Sequence, residues 1–199
     1  MKIRIYYNLY ADPVPARDGE LKLCLRKNRE CKLVDEVVLL GGRPTFAQYF
    51  AEITKDAGPE DISIILNSDV YVTDESVELL KGIKPEEAYA LTRWDVQPEG
   101  DPLFYGHKDS QDVWCIRGKP KVMVANFPLG WPGCDNRIAA ILMGAGYKVS
   151  NPSLSIKTYH VHLSAVRRQG ENPWHIVGKP YLLISPHMLG INPVLEIRR

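Results

Sequence analysis

The stretch that decides the fold is Ile62-Ser63-Ile64-Ile65-Leu66, followed directly by Asn67-Ser68-Asp69. The run is short and almost wholly apolar, with Asp61 before it and turn-forming residues after it. A strand without a polar face is typical of the middle of a parallel sheet that is covered on both sides. The stretch therefore predicts a central strand, with Asp69 just beyond its carboxyl end.

The segments on either side alternate between strand and helix patterns. Thr45-x-x-Gln48 forms a capping box, and apolar residues follow it at helical spacing. The predicted helices cover residues 18–31, the segments capped by Thr45 and Thr73, and residues 135–145. The predicted strands are 3–10, 34–40, 62–66, 88–92, 113–116 and 157–162, with one more from residue 181 onwards. This order predicts an open, mostly parallel α/β sheet with helices on both faces.

Residues 96–110 break the alternation. They are polar, include Gly100, Pro102 and Gly106, and are predicted to form a long loop. Loops of this length in a compact domain often act as lids or binding loops.

Composition limits the classes of function. The chain has 199 residues, with 25 basic and 24 acidic side chains, so its formal net charge is 25 − 24 = +1. The length predicts a single domain over residues 1–199, and the near-neutral charge argues against nucleic acid as a partner. No apolar run approaches the roughly 20 residues that span a bilayer, and the amino terminus lacks a signal peptide. We expect a soluble, cytoplasmic protein.

Several common motifs are absent from the sequence. No G-x-G-x-x-G follows the first strand, which excludes a dinucleotide dehydrogenase. The P-loop motif G-x-x-x-x-G-K-[ST] is also absent, which excludes a P-loop NTPase. The nucleophile elbow G-x-S-x-G is missing too. The four cysteines form no C-x-x-C pair, which favours reduced thiols over a structural zinc site.

Polar residues follow each of the first four predicted strands. In an open α/β sheet, ligands bind beyond the carboxyl ends of the strands, so these residues are candidates for a binding site. In strand order they are Asn8, Tyr10 and Asp12; Gly41, Gly42 and Arg43; Asn67, Ser68, Asp69 and Tyr71; and Arg93, Trp94 and Asp95.

Three further positions each allow two interpretations. Asp69 suits a hard divalent ion such as Mg²⁺ or Mn²⁺, but residues 67–69 also suit a simple turn. His160 and His162 alternate in a predicted strand and share a face, either as metal ligands or as a partly exposed pair. Asp135 opens a predicted helix, either as a helix cap or as a general base.

Arginine and tryptophan residues add weaker candidates. Arg93, Arg167 and Arg168 are suited to neutralise a diphosphate, because the guanidinium matches phosphate geometry. Trp94, Trp114, Trp131 and Trp174 are suited to stack on sugar rings, although such residues are more often found in the core or at its rim.

Five blocks together resemble a family of small GT-A-type glycosyltransferase domains, of the kind found in polysaccharide gene clusters and large algal viruses. The resemblance runs from about residue 62 to residue 164. The blocks are Ile64-Ile65-Leu66-Asn67-Ser68-Asp69-Val70-Tyr71, Ala90-Leu91-Thr92-Arg93-Trp94-Asp95, Ser110-Gln111-Asp112-Val113-Trp114, Gly133-Cys134-Asp135-Asn136-Arg137 and Ser155-Ile156-Lys157-Thr158-Tyr159-His160-Val161-His162.

The resemblance implies a GT-A-type, Rossmann-like sheet and an enzyme that uses a nucleotide-diphosphate sugar as donor, a glycan as acceptor, and Mn²⁺ or Mg²⁺. Asp69-Val70-Tyr71 matches the family's metal-binding Asp-x-Asp triplet, with one carboxylate instead of two. Asp135 matches the catalytic base of inverting members. The implied metal ligands are Asp69, Tyr71, His160 and His162; the implied donor-binding residues are Asn8, Tyr10, Arg43, Asn67, Asp69, Arg93, Asp95 and Asp112.

Two other functions remain open. The single carboxylate in Asp69-Val70-Tyr71 favours a catalytically silent carbohydrate- or nucleotide-binding module within a larger assembly. A sugar nucleotidyltransferase needs a glycine-rich basic loop after its first strand. Residues 10–19 offer only Arg17 and Gly19 for such a loop.

Overall fold

The computed structural model describes residues 1–122, 124–164, 166 and 176–199. In chain order, the elements are β1 (Ile3–Leu9), α1 (Pro15–Glu30), β2 (Glu36–Gly41), α2 (Phe46–Asp56), β3 (Ile62–Leu66), β4 (Val70–Tyr71), α3 (Asp74–Leu80), β5 (Glu87–Leu91), β6 (Trp94–Asp95), β7 (Leu103–Phe104), β8 (Val113–Arg117), α4 (Cys134–Gly144), β9 (Lys148–Ser150), β10 (Tyr159–His160), β11 (Tyr181–Ile184) and β12 (Leu195–Arg198).

The central sheet has six strands in the order β2-β1-β3-β8-β5-β9. Strand β8 runs antiparallel to both of its neighbours, whereas the other neighbouring pairs are parallel. Every residue of β3 is buried, as expected for a strand covered on both faces. The prediction of an open, mostly parallel α/β sheet with helices on both faces is confirmed.

Helices cover both faces of this sheet. Helices α2 and α4 pack on one face, where Phe46, Tyr49 and Ile138 join a core that also includes Ile65 and Trp114. On the other face, Val77 and Leu80 of α3 and the partly buried Leu25 of α1 pack with Ile62, Ile64 and Leu66. The sequence places α2 accurately, because its capping box is formed: Thr45 N–H donates to Gln48 Oε1 at 2.8 Å.

A second, four-stranded sheet was not predicted. Its order is β4-β10-β6-β7, and each of its strands is two residues long. Strands this short show no alternation in sequence, so their pairing is visible only in the fold. The predicted strand 157–162 is correspondingly reduced to β10, and the predicted loop 96–110 contains β7.

The remaining differences lie near the carboxyl-terminal part of the chain and at element ends. The tail forms two strands, β11 and β12, instead of one, and they pair with each other in an antiparallel hairpin. Strand β9, which was not predicted, forms an edge of the central sheet. Helix α1 begins at Pro15, three residues before the predicted start, because proline is favoured in the first turn of a helix. Within the described residues, no helix combines the length and the apolar character needed to cross a membrane.

Candidate functional site

The antiparallel direction of β8 brings two chain regions to one edge of the sheet. Strands β3 and β5 end at this edge, which places Asp69 and Arg93 just beyond them. Strand β8 lies between them and begins at the same edge, so Asp112 joins the group. The candidate site is therefore built at the edge where ligands bind in open α/β sheets.

Asp69 and Asp95 hold His160 between them. His160 Nε2 lies 3.2 Å from Asp69 Oδ2, and His160 Nδ1 lies 2.7 Å from Asp95 Oδ1. Burial alone would lower the pKa of His160, but its hydrogen bonds to the two carboxylates outweigh this effect and raise the pKa to about 9. The pKa of Asp69 is correspondingly lowered: burial opposes its ionisation, and the contacts with His160 and Arg17 favour it.

Arg93 extends the group toward Asp112. Its Nε donates to Asp95 Oδ1 at 2.9 Å, and its Nη1 donates to Asp112 Oδ2 at 3.1 Å. Asn67 Nδ2 donates to the second oxygen of Asp112 at 2.7 Å. The guanidinium also lies 4.0 Å from the ring centroid of Tyr105, so the segment 96–110 packs directly against the site.

Arg17 and Glu20 belong to the site, although the sequence analysis did not select them. Arg17 pairs with Asp69 through Nη2, while its Nη1 donates to Glu20 Oε2 at 2.8 Å and to the carbonyl of Val161 at 3.0 Å. Glu20 accepts hydrogen bonds from the backbone of Leu163 and Ser164 at 2.7 and 2.6 Å. The available signal was an Arg-x-x-Glu pair on the same face of α1 as buried apolar residues.

We call these eight residues the polar network: Glu20, Arg17, Asp69, His160, Asp95, Arg93, Asp112 and Asn67. It contains four carboxylates, two guanidinium groups and His160, which its raised pKa keeps protonated near neutral pH, so its charge there is 3 − 4 = −1. A net negative cluster attracts cations and repels a free diphosphate.

The described residues include one group that has the composition of a metal site. The ligand atoms of Asp69, His160 and His162 all lie within 4.8 Å of one another, and the two imidazole rings are 5.6 Å apart. His162 Nε2 is buried and has no hydrogen-bond partner. Burial and the nearby charge of Arg17 lower the pKa of His162, which keeps it in the neutral form that binds metals. Two imidazoles and a carboxylate suit Mn²⁺ and related divalent ions. The residues fit such a cation once His160, which its pKa of about 9 keeps protonated near neutral pH, releases its proton to the solvent.

Tyr71 lies outside this group. It pairs with Tyr159 in register, and the two rings stack with centroids 5.2 Å apart. Because His160 pairs instead with Val70, His160 and Tyr71 project from opposite faces of the small sheet. Tyr71 faces a shallow surface pocket that Lys27 and Asp74 also line.

Asp135 lies beside the polar network, in the first turn of α4. The backbone N–H of Gln111 donates to Asp135 Oδ2 at 3.3 Å, which links Asp135 to the residue preceding Asp112. Burial raises the pKa of Asp135 to about 7, and the neighbouring negative charge of Asp112 adds to the effect. The N-cap of α4 is Gly133, so Asp135 does not serve as the cap residue.

Gly133 fixes the position at which α4 begins. Its φ is +80°, and a Cβ built there would lie 2.9 Å from Tyr181 Oη and 3.1 Å from the carbonyl oxygen of Val177. Any side chain at this position would therefore both strain the backbone and displace β11 or the start of the helix.

A cavity of about 320 Å³ lies beside Asp69, between the end of β1 and helix α1. It is mainly apolar, and its lining includes Tyr7, Asn8, Tyr10, Leu21 and Ser68. Burial and the nearby Asp69 carboxylate raise the pKa of Tyr10, so its hydroxyl stays protonated and can donate a hydrogen bond. The cavity has the size and lining of a small-molecule site.

The other sequence candidates lie elsewhere. Arg43 is exposed between β2 and α2, two strands away from Asp69. Trp114 is buried in the core against Phe46, and Trp94 packs against Phe104 in the small sheet. Arg167, Arg168 and Trp174 fall outside the described residues.

Comparisons with known proteins give only distant likenesses. No protein-family model and no curated protein matches the chain. Among solved structures, 4-diphosphocytidyl-2C-methyl-D-erythritol synthase from Anaerococcus prevotii is similar at 12% identity, over 85% of this chain and 93% of that one, with a TM-score of 0.46. A glycosyltransferase involved in the glycosylation of the major capsid of PBCV-1 is similar at 11% identity, over 59% of this chain and 60% of that one, with a TM-score of 0.33. Likenesses this weak carry no argument about function, which must rest on the residues of the site.

Proposed function

We propose that the protein is a glycosyltransferase that moves a sugar from a nucleoside diphosphate donor to a hydroxyl group of a glycan acceptor. One observation carries the proposal: three side chains that could ligate a divalent cation and a buried carboxyl group whose pKa is raised to about 7 lie at the same edge of the sheet. Sugar transfer from a nucleotide requires positive charge beside the leaving diphosphate and a base beside the acceptor hydroxyl.

The cavity beside Asp69 is suited to the base and ribose of the donor. Its apolar lining and the Tyr10 ring provide contact for a planar heterocycle. Ser68 lines the cavity and directly precedes Asp69, so a nucleotide bound there would direct its phosphates toward the polar network. Asn8 contributes to the same wall.

Asp69, His160 and His162 are the residues that would hold a divalent cation. Bound there, the cation would offset the negative charge that develops on the diphosphate as the sugar–phosphate bond breaks. Arg93 would bind sugar or phosphate oxygens once its contacts with Asp95 or Asp112 loosen. Because the polar network is net negative, we expect a diphosphate to bind there only together with a cation.

Asp135 would act as the general base. Its carboxylate accepts the proton of the acceptor hydroxyl while the hydroxyl oxygen bonds to the anomeric carbon. The bond between that carbon and the phosphate oxygen breaks in the same step, and the nucleoside diphosphate leaves with the electron pair. We propose that the hydroxyl attacks from the face opposite the leaving group, with inversion at the anomeric carbon.

The test is calorimetric titration of UDP, GDP and TDP into the protein, first with Mn²⁺ and then with EDTA. We expect one nucleotide to bind in the presence of Mn²⁺ and to lose most of its affinity in EDTA. The matching nucleotide sugar should then be turned over, by transfer or by slow hydrolysis. Binding of no nucleotide would contradict the proposal, and metal-dependent binding without turnover would indicate the silent binding module instead.

Two variants test which side chains ligate the cation. His162→Phe removes a ligand and should weaken Mn²⁺ binding at least tenfold, whereas Tyr71→Phe should leave it unchanged because Tyr71 lies on the other face. Equal effects of the two variants would exclude the proposed ligand set.

A further inference from the structure

Strand β12 leaves one edge of its hairpin open. It pairs only with β11 among the described residues, and its side chains Leu195 and Ile197 are 41% and 52% exposed. Large apolar side chains on an unpaired strand edge are a known route to pairing with another chain.

The alternation of hydrogen bonds in the hairpin shows which backbone N–H and C=O groups of β12 point away from β11. Ser185 N–H donates to the carbonyl of Val194, so residues 194, 196 and 198 direct their backbone groups toward β11. Leu195 and Ile197 therefore direct their N–H and C=O groups outward, and no described residue bonds to them.

We propose that β12 pairs antiparallel with β12 of a second copy of this chain, about a two-fold axis that passes beside Ile197. In this register, Ile197 exchanges both of its backbone hydrogen bonds with Ile197 of the second copy. This pair is possible because the N–H and C=O groups of Ile197 point away from β11. A two-fold axis beside residue 196 would instead require the N–H and C=O groups of Glu196, which already bond to β11.

Charge complementarity selects the same register. Glu196 of one copy lies opposite Arg198 of the other, twice across the axis, in a non-hydrogen-bonded pair where side chains approach most closely. Within one chain, Arg198 Nε already donates to Glu196 Oε1 at 2.8 Å, and Lys108 pairs with the same carboxylate. The second copy thus continues a row of alternating charges on one face of the hairpin.

The apolar residues fit the same arrangement. Leu195 and Ile197 project from the face that also carries Leu182 and Ile184, which are buried against the core. A paired second copy extends this face, placing the Ile197 side chains of the two copies side by side and Arg199 of one copy beside Leu195 of the other. The contact is small, so we expect reversible association, with dimer appearing between about 1 and 100 µM chain.

The experiment is sedimentation velocity of the 199-residue chain over this concentration range. The wild type should dimerise, and Glu196→Arg and Arg198→Glu should each be monomeric, because each places like charges opposite one another. Mixed in equal amounts, the two variants should form a heterodimer, in which both cross-strand pairs are restored. Glu78→Arg, which reverses an exposed charge on α3 that pairs with Lys81, is the matched control and should not affect association.

A cross-linking arm does not depend on the charge variants folding well. Ile197→Cys should form an intermolecular disulfide under mild oxidation, since opposite Cα atoms in such a pair are about 5.5 Å apart. Leu195→Cys should not cross-link, and the four native cysteines are buried. A monomeric wild type, dimeric single charge variants, a monomeric mixture, or equal cross-linking at both positions would each overturn the proposal.

Discussion

Asp69 and Asp135 are the same residue type at the same edge of the sheet, yet their ionisation differs in direction. Asp69 contacts His160 and a buried guanidinium, and its pKa is lowered. Burial raises the pKa of Asp135 to about 7, and the negative charge of nearby Asp112 adds to the effect, against the opposing hydrogen bonds from the backbone N–H groups of Gln111 and Asn136. The comparison teaches that neighbouring charge assigns the roles: a permanent anion suits a metal ligand, and a carboxyl that titrates near neutrality suits a base.

The largest expected effect comes from removing the base. Asp135→Asn should lower kcat for sugar transfer on the order of 10²- to 10⁴-fold, while calorimetry shows unchanged donor binding. In the wild type, the carboxylate form increases as pH rises, so kcat/KM should increase from pH 5 to a plateau above about pH 7. The residual activity of Asp135→Asn should not show this rise of kcat/KM between pH 5 and pH 7.

The matched control is Asp109→Asn, which changes an exposed carboxylate on the segment leading to Gln111 and should leave both rate and profile unaltered. If Asp135→Asn keeps most of the activity, or still shows the rise of kcat/KM between pH 5 and pH 7, Asp135 is excluded as the base.

The second expected effect is on stability, and its sign differs between the two aspartates. At pH 8, Asp69→Asn leaves Arg17 and His160 without their shared partner, which should cost roughly 3 kcal/mol and lower Tm by about 6–12 °C. Asp135→Asn should instead raise Tm by about 2–4 °C, because it removes a carboxylate that is ionised against its burial.

The stability difference between Asp135→Asn and the wild type should depend on pH, because the pKa of Asp135 differs between the folded and unfolded states. The folded pKa of Asp135 lies above the unfolded value of about 3.9, so the wild type loses stability as pH rises from about 4 to 7. The advantage of Asp135→Asn should therefore be present at pH 8 and vanish near pH 4, as measured by thermal unfolding at both values. A shift of the same sign for both aspartate variants would contradict the comparison.

The sequence predicted the central sheet better than the site, for a physical reason. The apolar run of β3 and the capping box of α2 are local patterns, and local patterns determine strand and helix positions. Asp69 and Asp95 were selected because they follow predicted strands, His160 because it alternates with His162 within one, and Asp112 from the family resemblance. Their mutual contacts depend on the pairing of β10 with β4 and β6 and on the antiparallel direction of β8. No local pattern indicates that direction.

Arg17 and Tyr71 show the limits of reading positions one at a time. Arg17 lies on a helix whose exposed positions are strongly charged, so its burial against Asp69 is determined by how α1 packs and not by its neighbours in sequence. Tyr71 occupies the place of a second carboxylate in the triplet, but the pairing of β4 with β10 turns it to the face opposite His160. The positions of both side chains therefore depend on tertiary packing and not on their neighbours in sequence.

The last prediction tests how firmly Asp135 is positioned. Gly133→Ala places a Cβ at a φ of +80° and within 2.9 Å of Tyr181 Oη, which should cost about 1–3 kcal/mol of folding stability, seen as a lower Tm. Gly144→Ala, in the last turn of the same helix with open space around it, is the control and should be neutral or slightly stabilising. If Gly133→Ala also reduces kcat more than it weakens donor binding, the start of α4 positions the base. An unchanged kcat at lowered stability would show that Gly133 serves the fold alone, and that Asp135 is held by its bond to Gln111.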